Sequence, residues 1–426
     1  MQNIYALKGN ICYSKDQKTI EAVENGYVVV ENETSRGVFR TLPEKWANAP
    51  VTDYGDKLII PGLVDLHIHA PQYAFRGTGM DLELLDWLNT YTFPEEARYG
   101  DLEYAELAYS LFADDLSKGA TTRAVVFATV HVPATMLLME KLERSGIVSL
   151  VGKVNMDRSS PAGLQEESAE RSANDTIGWL HSCVGKFKNT SPILTPRFIP
   201  SCSDDLMRRL GDIQKAFKLP LQSHLSENQS EIEWVSELCP WSMSYGDAYA
   251  QFGMFGGENV NAVMAHCVWP TSGEIELIRK NGVYVAHCPQ SNMNLASGIA
   301  PVRKFLEKNL NVGLGSDVAG GSSASVFRAM SDSIQVSKLY WRLVDGDSAP
   351  LTVEEAFYLG TLGGGRFFGK AGSFDDGFEF DAVIIDDGSI IGPAKPNIHD
   401  RLSKVIYLSD DRNIIAKYVR GEICGG

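Results

Sequence analysis

The sequence predicts an α/β fold, in which eight parallel strands and their helices close into a (β/α)₈ barrel of the TIM type beside a small β-sandwich domain. Three observations lead to this prediction. Short apolar runs alternate with longer helical stretches through the middle of the chain, as in βαβ units. Eight such runs can be counted, which is the number that closes a barrel. Both chain ends contain strand-like runs without such helices.

The two chain ends are predicted to build one small domain together. Neither end has enough strands to bury a sheet by itself, although each has β-branched or apolar runs between Gly, Asn and Asp turn residues. We therefore expect residues 1–60 and 376–426 to form a composite β-sandwich and residues 61–375 to form the barrel. The runs behind this prediction are residues 27–30, 57–60, 380–385, 404–408 and 414–421.

The eight barrel strands are predicted from the central part of the chain. Each run is short, apolar and followed by a stretch long enough for a helix, which is typical of parallel strands covered on both faces. In chain order the runs are residues 62–69, 121–130, 148–155, 193–198, 220–224, 262–266, 283–287 and 312–317.

Composition limits the class of protein and its partners. The chain has 426 residues, a formal charge of −15 and 44% hydrophobic residues, which is enough apolar material for a large core. An acidic chain without clustered Lys and Arg is not expected to bind nucleic acid. The most apolar stretch, residues 124–139, is shorter than the ~20 residues that a membrane span needs. With no signal-peptide pattern, seven scattered cysteines and no C-x-x-C pair, we expect a cytoplasmic protein without membrane partners.

Five of the eight predicted strands end in a side chain that can bind a metal ion. The first contains His67 and His69, which are two apart and therefore point to the same side of a strand. Each signal alone is more often structural, but the chain has only eight histidines and five of them lie at these ends. This coincidence predicts a metal site at the carboxyl edge of the barrel. The remaining members, on the fifth to eighth strands, are His224, His266, His287 and Asp317.

Nitrogen ligands with one carboxylate suit a divalent ion, for which we expect Zn²⁺, with Fe²⁺ as the alternative. Such an ion lowers the pKa of a bound water from 15.7 to about 7. Glu227 follows His224 by three residues at a strand-to-helix turn, within reach of that water, as a proton shuttle must be. The helix dipole also favours a Glu in a first helical turn, so the shuttle role of Glu227 depends on its neighbour His224.

The run P-G-L-V-D-L-H-I-H at residues 61–69 resembles the opening strand of the amidohydrolase superfamily. The histidines on the fifth and sixth strands, the aspartate on the eighth and the flanking terminal strands are similar to that superfamily as well. A narrower match, H-I-H-A-P-Q-Y at residues 67–73, resembles its guanine deaminases. Residues 84–95, 195–198, 224–228, 287–292 and 315–321 extend this likeness. Leu66 and Ser316 stand where that pattern has Thr, but neither carries a metal-binding group.

The resemblance implies a role for particular residues. The implied metal ligands are His67, His69, His224 and Asp317. The implied catalytic residues are Glu227, Asp317 and His266, and the implied substrate contacts are Gln72, Arg197, Phe198, His69, His224, Glu227 and Asp317. Binuclear relatives carry a modified lysine on the fourth strand, where this chain has Arg197, so we expect one metal ion. The resemblance also implies a homodimer, while the role of His287 stays open.

The polar residues favour a purine base as substrate. Arg197 offers a planar fork of donors for a carbonyl and a ring nitrogen, and Gln72 supplies both a donor and an acceptor. Phe198 and Tyr73 could stack on the base or belong to the core. The expected reaction is hydrolytic deamination of guanine to xanthine and ammonia, in purine catabolism or salvage, with residues 70–119 covering the pocket.

Three other interpretations stay open at this point. The first is another deaminase or hydrolase of the superfamily, acting on cytosine, a triazine or an adenosine-like substrate. The second is the unrelated zinc deaminase fold, but the P-C-x-x-C that it requires does not occur in the sequence. The third is a non-catalytic barrel scaffold, which would have lost ligands that are all present here. His131, His181 and His399 are assigned to structure or surface.

Overall fold

The N-terminal part of the chain forms strands before the first barrel unit begins. We analysed a computed structural model of the protein, which describes residues 3–257, 260–393 and 396–424. Strand β1 pairs antiparallel with β2 and parallel with β4, and β2 pairs with β3. Residues 9–14 of β1 and residues 28–30 of β2 are buried, so these parts of the strands lie within a core. The strands are β1 (Ile4–Ser14), β2 (Ile20–Glu31), β3 (Thr34–Phe39) and β4 (Val51–Pro61).

The middle of the chain supplies parallel strands at eight positions of the predicted barrel. The third and fourth positions are each divided into two short strands, because the ladder is interrupted at Lys153 and at residues 193–194. The first two positions are buried along their whole length, as expected for strands covered on both faces. The strands are β5 (Leu63–His69), β6 (Thr121–Phe127), β7 (Val148–Gly152), β8 (Val154–Asn155), β9 (Thr190–Pro192), β10 (Thr195–Pro196), β11 (Leu221–Leu225), β12 (Ala262–His266), β13 (Tyr284–His287) and β14 (Asn311–Leu314).

Backbone hydrogen bonds join these strands into a ring. One sheet has the order β5-β6-β7-β9 and another the order β11-β12-β13-β14. Leu194 links them, because it lies in a parallel bridge with Leu221 and its carbonyl accepts the amide of Gln222 at 2.9 Å. On the other side, the Asp317 amide donates to the His67 carbonyl at 2.8 Å, just beyond β14. The described strands therefore follow one another in the order that the predicted barrel requires.

Strands from the C-terminus complete the sheet begun at the N-terminus. They are β15 (Ala382–Ile385), β16 (Ile414–Val419) and β17 (Glu422–Cys424). Strand β15 pairs with β4, which gives the order β17-β16-β15-β4-β1-β2-β3 in one seven-stranded sheet. Its buried side chains pack on one another in a core separate from the barrel interior: Leu7, Ile11, Tyr13, Val28, Val30, Ile59, Phe374, Phe380, Ala382, Ile384, Ala416 and Tyr418.

Helices follow most barrel strands and cover the ring. Many begin at a Ser, Thr, Asp or Asn whose side chain accepts a first-turn amide, for example Ser325 and Asn397. Within the described residues, none of the helices is both long and apolar enough to cross a membrane. The helices are α1 (Leu84–Trp87), α2 (Phe93–Ala97), α3 (Leu102–Lys118), α4 (Val132–Ser145), α5 (Ala169–Cys183), α6 (Asp204–Phe217), α7 (Gln229–Leu238), α8 (Tyr245–Gln251), α9 (Ser272–Asn281), α10 (Pro289–Asn294), α11 (Val302–Glu307), α12 (Val326–Leu343), α13 (Val353–Tyr358) and α14 (Ile398–Leu408).

Two predictions about local structure were wrong. Residues 404–408, expected as a strand, are the last turn of α14. Ile398, Leu402 and Val405 recur at helical spacing and are buried, so the apolar pattern fits a helix once it is followed over eleven residues. The last barrel strand ends at Leu314, three residues before the predicted end, and Asp317 lies in the following turn with φ of 48°.

A buried ion pair ties the barrel to the terminal sheet. Arg123 on β6 is 2% exposed, and its Nε donates to Asp381 Oδ2 at 2.5 Å. Its Nη2 donates to Glu379 Oε2 at 2.9 Å. Asp381 is equally buried and also accepts the amide of Arg420 at 2.8 Å, so the carboxylate holds three segments of chain together.

Replacing Arg123 by Met should lower the free energy of unfolding by about 3–5 kcal/mol, because Asp381 would stay buried without its cation. The matched control is Arg171→Met, which removes the exposed pair with Asp175 and should cost about 0–1 kcal/mol. Urea titration of both variants measures the two losses. Similar losses for the two variants would contradict the structural role of the buried pair.

Candidate active site

Three imidazoles converge at the carboxyl edge of the barrel. His67 and His69 lie on β5, and His224 is the penultimate residue of β11. His69 Nε2 lies 3.2 Å from His67 Nε2 and 3.2 Å from His224 Nε2. The two histidines of β5 point to the same side because they are two residues apart on a strand. The structure therefore brings together the three histidines that the sequence predicted as ligands.

The protonation of these rings suits a cation at their centre. The Nδ1 of His224 lies 2.7 Å from the Arg197 carbonyl, which can only accept, so this nitrogen carries the proton and Nε2 has a lone pair. Burial, together with the charge of His67, holds the pKa of both His69 and His224 well below its usual range. Neutral imidazoles with converging lone pairs are the donor set of a divalent transition metal ion.

Asp317 adds a carboxylate to the same centre. Its Oδ1 lies 3.1 Å from His67 Nε2 and 3.5 Å from His69 Nε2. Burial alone would raise the pKa of Asp317, but the neighbouring histidines, His67 foremost, hold it well below its usual range. The potential ligand atoms of His67, His266 and Asp317 all lie within 4.8 Å of one another, as do those of the three clustered histidines. Three nitrogens and one carboxylate oxygen could thus hold one ion.

Asp65 fixes the turn that carries Asp317. It lies two residues before His67 on β5, and its Oδ1 accepts the amides of His67 at 3.1 Å and of Ser316 at 3.0 Å. Its Oδ2 accepts the hydroxyl of Ser316 at 2.5 Å. Burial raises the pKa of Asp65 to about 6, while these donors oppose the rise. Asp65 was not among the predicted site residues, although its spacing to His67 and His69 places it on the same side of the strand.

His266, the last residue of β12, lies between two carboxylates. Its Nε2 is 3.3 Å from Glu227 Oε2 and 3.7 Å from Asp317 Oδ2. Its Nδ1 lies 2.9 Å from Asn292 Oδ1, an acceptor that orients the ring. Glu227 in turn accepts the hydroxyl of Ser297 at 3.2 Å. An imidazole held in this way can pass a proton between groups on either side.

The carboxyl group of Glu227 has an unusual environment. Burial, helped by the negative charge of Asp317, raises its pKa well above the usual range. Behind it, Glu231 accepts the amide of Glu227 at 3.1 Å and the hydroxyl of Tyr245 at 2.7 Å. Burial and the charge of Glu227 raise the pKa of Glu231 to about 7. A carboxyl group that titrates well above its usual range can donate and accept protons near neutral pH.

A small cavity opens onto this centre. The segment between β5 and α3, predicted to cover the pocket, contributes Gln72 and three apolar residues, and the rest of the barrel contributes the other polar groups. The lining residues are His69, Gln72, Leu84, Trp87, Leu88, Arg197, Phe198, His224, Glu227, Glu231, His266, Leu295, Asp317 and Gly320.

The polar wall of the cavity contains two residues predicted to contact a base. The amide of Gln72 donates to Glu96 Oε1 at 2.9 Å and its oxygen accepts the Ala319 amide at 3.1 Å. Both terminal nitrogens of Arg197 donate to the Glu96 carboxylate, Nη2 at 3.1 Å. Glu96 was missed in the sequence analysis, because a glutamate in the first turn of a short helix carries no motif.

The predicted aromatic residues occupy different places. Phe198 lines the cavity and packs edge-on against Trp234, with 6.1 Å between the ring centroids. Tyr73 does not line it. Its hydroxyl donates to Asp115 at 2.7 Å and its ring packs on Phe112, so it belongs to the core.

The other histidines lie outside the cluster. His287 ends β13 and is buried, and its pKa falls to about 3 because of burial and the nearby His266. It lines a second cavity rather than the one described above. His399 is half-exposed and pairs with Glu354, as expected of a surface residue.

Fold and site together define a class: a barrel hydrolase that uses clustered histidines and a carboxylate at the carboxyl edge of its strands. The sequence profile of the Amidohydrolase family matches residues 58–424. Guanine deaminase of Dictyostelium discoideum is 42% identical over 379 residues, covering 87% of this chain and 83% of its own. Guanine deaminase of Rattus norvegicus is 36% identical over 418 residues, covering 94% and 90%.

A solved structure agrees with the sequence relatives. The crystal structure of guanine deaminase from C. acetobutylicum, with guanine bound in the active site, matches with a TM-score of 0.96. The two chains are 44% identical, and the match covers 99% of this chain and 100% of the other. The chain belongs to the amidohydrolase family, within the group formed by the guanine deaminases.

Proposed function

We propose that this protein catalyses the hydrolytic deamination of guanine to xanthine and ammonia. The observation that carries the proposal is one cavity that joins the clustered histidines and Glu227 to the polar pair Gln72 and Arg197. Its relatives, 34–44% identical over most of the chain, are guanine deaminases. Purine catabolism or salvage is the process that this reaction serves.

Guanine offers groups that the polar wall can bind. Arg197 can donate from its fork to the O6 carbonyl and a neighbouring ring nitrogen. Gln72 has an amide proton and an oxygen lone pair beyond those used within the protein. Phe198 supplies an apolar surface against the ring. We assign these three residues to substrate binding, with His69, His224, Glu227 and Asp317 around the reacting carbon.

We assign one divalent metal ion to His67, His69, His224 and Asp317. Zn²⁺ fits three imidazoles and one carboxylate, with Fe²⁺ as the alternative. Arg197 supports a single ion, because it stands at the fourth strand, where binuclear relatives carry a modified lysine, and its guanidinium is paired with Glu96. Bound there, the ion would supply Lewis-acid activation of a water molecule.

The chain's own residues move the protons. Glu227 takes a proton from the attacking water and delivers it to the purine ring nitrogen beside C2. Asp317 and His266 orient the water, since His266 lies between both carboxylates. After oxygen adds to C2, Glu227 takes the remaining proton from that oxygen and donates it to the 2-amino group. The C2–N bond then breaks, ammonia leaves and C2 becomes a carbonyl. General acid–base transfer of this kind contributes typically about 10²–10⁴-fold to the rate.

Four further expectations belong to the same proposal. Residues 1–60 and 376–426 form one composite domain, and residues 61–375 form the catalytic barrel. The terminal strands pack on a core of their own, which supports a separate domain, and we expect this domain to be a β-sandwich. The protein acts as a homodimer and is cytoplasmic.

A screen of free bases and nucleosides for ammonia release tests the substrate. Guanine should be the best substrate, because cytosine and adenine lack the O6 carbonyl and N1–H arrangement that Arg197 and Gln72 fit. A triazine with amino groups serves as the control, because it represents the substrates of another hydrolase of the same superfamily. Faster release from cytosine, adenosine or the triazine would contradict the assignment.

Glu227→Gln should reduce kcat by about 10²–10⁴-fold, since the amide cannot carry the proton. The metal content should stay near one ion per chain, because Glu227 is not among the assigned ligands. Elemental analysis and steady-state kinetics on the same preparation measure both quantities. His224→Ala is the contrasting variant and should lose metal as well as activity. Near-normal turnover by Glu227→Gln would contradict the shuttle role.

The pH dependence of kcat/KM should reflect the ionisation of Glu227. Its carboxylate is the form that accepts the proton from water, and burial with the charge of Asp317 raises its pKa well above 4.5. The value of kcat/KM should therefore fall as the pH falls through that raised pKa, leaving an acid limb well above pH 4.5. In Glu231→Gln the limb should remain, because Glu231 is not the proton acceptor. Activity that stays flat down to pH 4.5 would contradict the assignment.

A further inference from the structure

Glu96 holds both residues of the polar wall at once. It lies on α2, in the segment between β5 and α3, and is 1% exposed. Its Oε1 accepts from Gln72 Nε2 at 2.9 Å and from Arg197 Nη2 at 3.1 Å. Its Oε2 accepts from Arg197 Nη1. One carboxylate thus joins a residue that follows the first barrel strand to a residue that follows the fourth.

This contact decides which way the Gln72 amide points. A carboxylate only accepts, so the NH₂ group of Gln72 turns toward Glu96. Its oxygen is then free to accept the Ala319 amide at 3.1 Å. With one proton and one lone pair already used, Gln72 presents one donor and one acceptor position of fixed direction. A base is recognised by such an ordered pair, and a flipped amide would reverse it.

The same contact cancels the charge of Arg197. The guanidinium is 3% exposed, and both of its terminal nitrogens donate to Glu96. Phe93, three residues before Glu96 on the same helix, packs its ring 5.1 Å from the guanidinium carbon. A bidentate pair of this geometry fixes the plane of the fork as well as its charge. The wall therefore carries hydrogen-bond donors without a net positive charge.

We propose that Glu96 is the positioning residue that sets substrate specificity, by orienting Gln72 and Arg197 and by making their wall electrically neutral. It selects a neutral purine and disfavours an anionic purine of the same shape. The segment that carries Glu96 also contributes Trp87 and Leu88 to the cavity, so specificity and cover come from one piece of chain. This inference rests on the proposed function and adds a reason why the site would bind a neutral purine in preference to an anionic one.

The test compares guanine, which is neutral at neutral pH, with urate, an anionic purine of similar size. In Glu96→Gln the wall loses its negative charge and the amide cannot accept from both partners. We expect KM for guanine to rise at least about tenfold, while kcat changes less than about threefold. The inhibition constant of urate should fall, so the ratio of guanine KM to urate Ki should rise by more than about tenfold.

Two further variants separate the possible causes. Glu96→Asp keeps the charge but shortens the side chain, so KM for guanine should rise without a gain in urate binding.

Glu95→Gln is the matched control on the same helix. Glu95 pairs with Arg98 at 3.0 Å and accepts from Tyr104, but within the described residues it makes no hydrogen bond to Gln72 or Arg197. Its kinetic constants should equal those of the wild type.

Each outcome decides the inference. If the wild type deaminates guanine and Glu96→Gln leaves the ratio of guanine KM to urate Ki unchanged, the role of Glu96 is overturned but the proposed function is not. A wild type that releases no ammonia from guanine overturns the proposed function and this inference with it. If Glu96→Gln does not fold, Glu96→Asp decides, because guanine KM unchanged in that variant overturns the positioning role.

Discussion

The hydrogen bond from the Asp317 amide to the His67 carbonyl, 2.8 Å long, is the contact on which the rest of the site depends. It closes the ring of strands between the first and the last position. In closing the ring, it also brings the side chains of His67 and Asp317 to 3.1 Å from each other, although 250 residues separate them in the chain. Asp65 locks this contact by accepting from both sides of it. The backbone contact that joins the first and last strands therefore also positions the two side chains of the site.

Buried charged side chains also fix the positions of the segments that carry them. Several buried ions have a partner of opposite sign, such as Arg123 with Asp381 and Arg303 with Glu355. Arg197 with Glu96 follows this rule, although it lies in the cavity wall. A buried charge left alone is costly, so each of these pairs fixes the geometry of the segments that carry it. In the cavity, this rigidity serves recognition.

Much of the fold and of the candidate site could be predicted from the sequence, and the features that could not be predicted have physical causes. Strand ends bearing His67, His69, His224 and His266 stand out because histidine is rare in this chain and a barrel gathers strand ends at one edge. Glu96 could not be predicted, since its meaning arises only when residues 24 and 101 positions away fold against it. The strand predicted for residues 404–408 was wrong because the four β-branched or apolar residues after Lys404 hide a helical period that needs a longer window.

Glu227 and Asp317, like Asp65 and Glu231, are buried acids without a Lys or Arg partner among the described residues, and their arrangement explains the chemistry. Both are buried, both are acids, and His266 is the group that lies between them. The histidines around Asp317 keep it ionised, and its charge, added to burial, raises the pKa of Glu227. Two carboxyl groups in one cavity are thus driven to opposite protonation behaviour, one fixed as an anion and one able to carry a proton. Arg197 opposes the rise in the pKa of Glu227, but burial and the charge of Asp317 outweigh it, so the difference between the two acids remains.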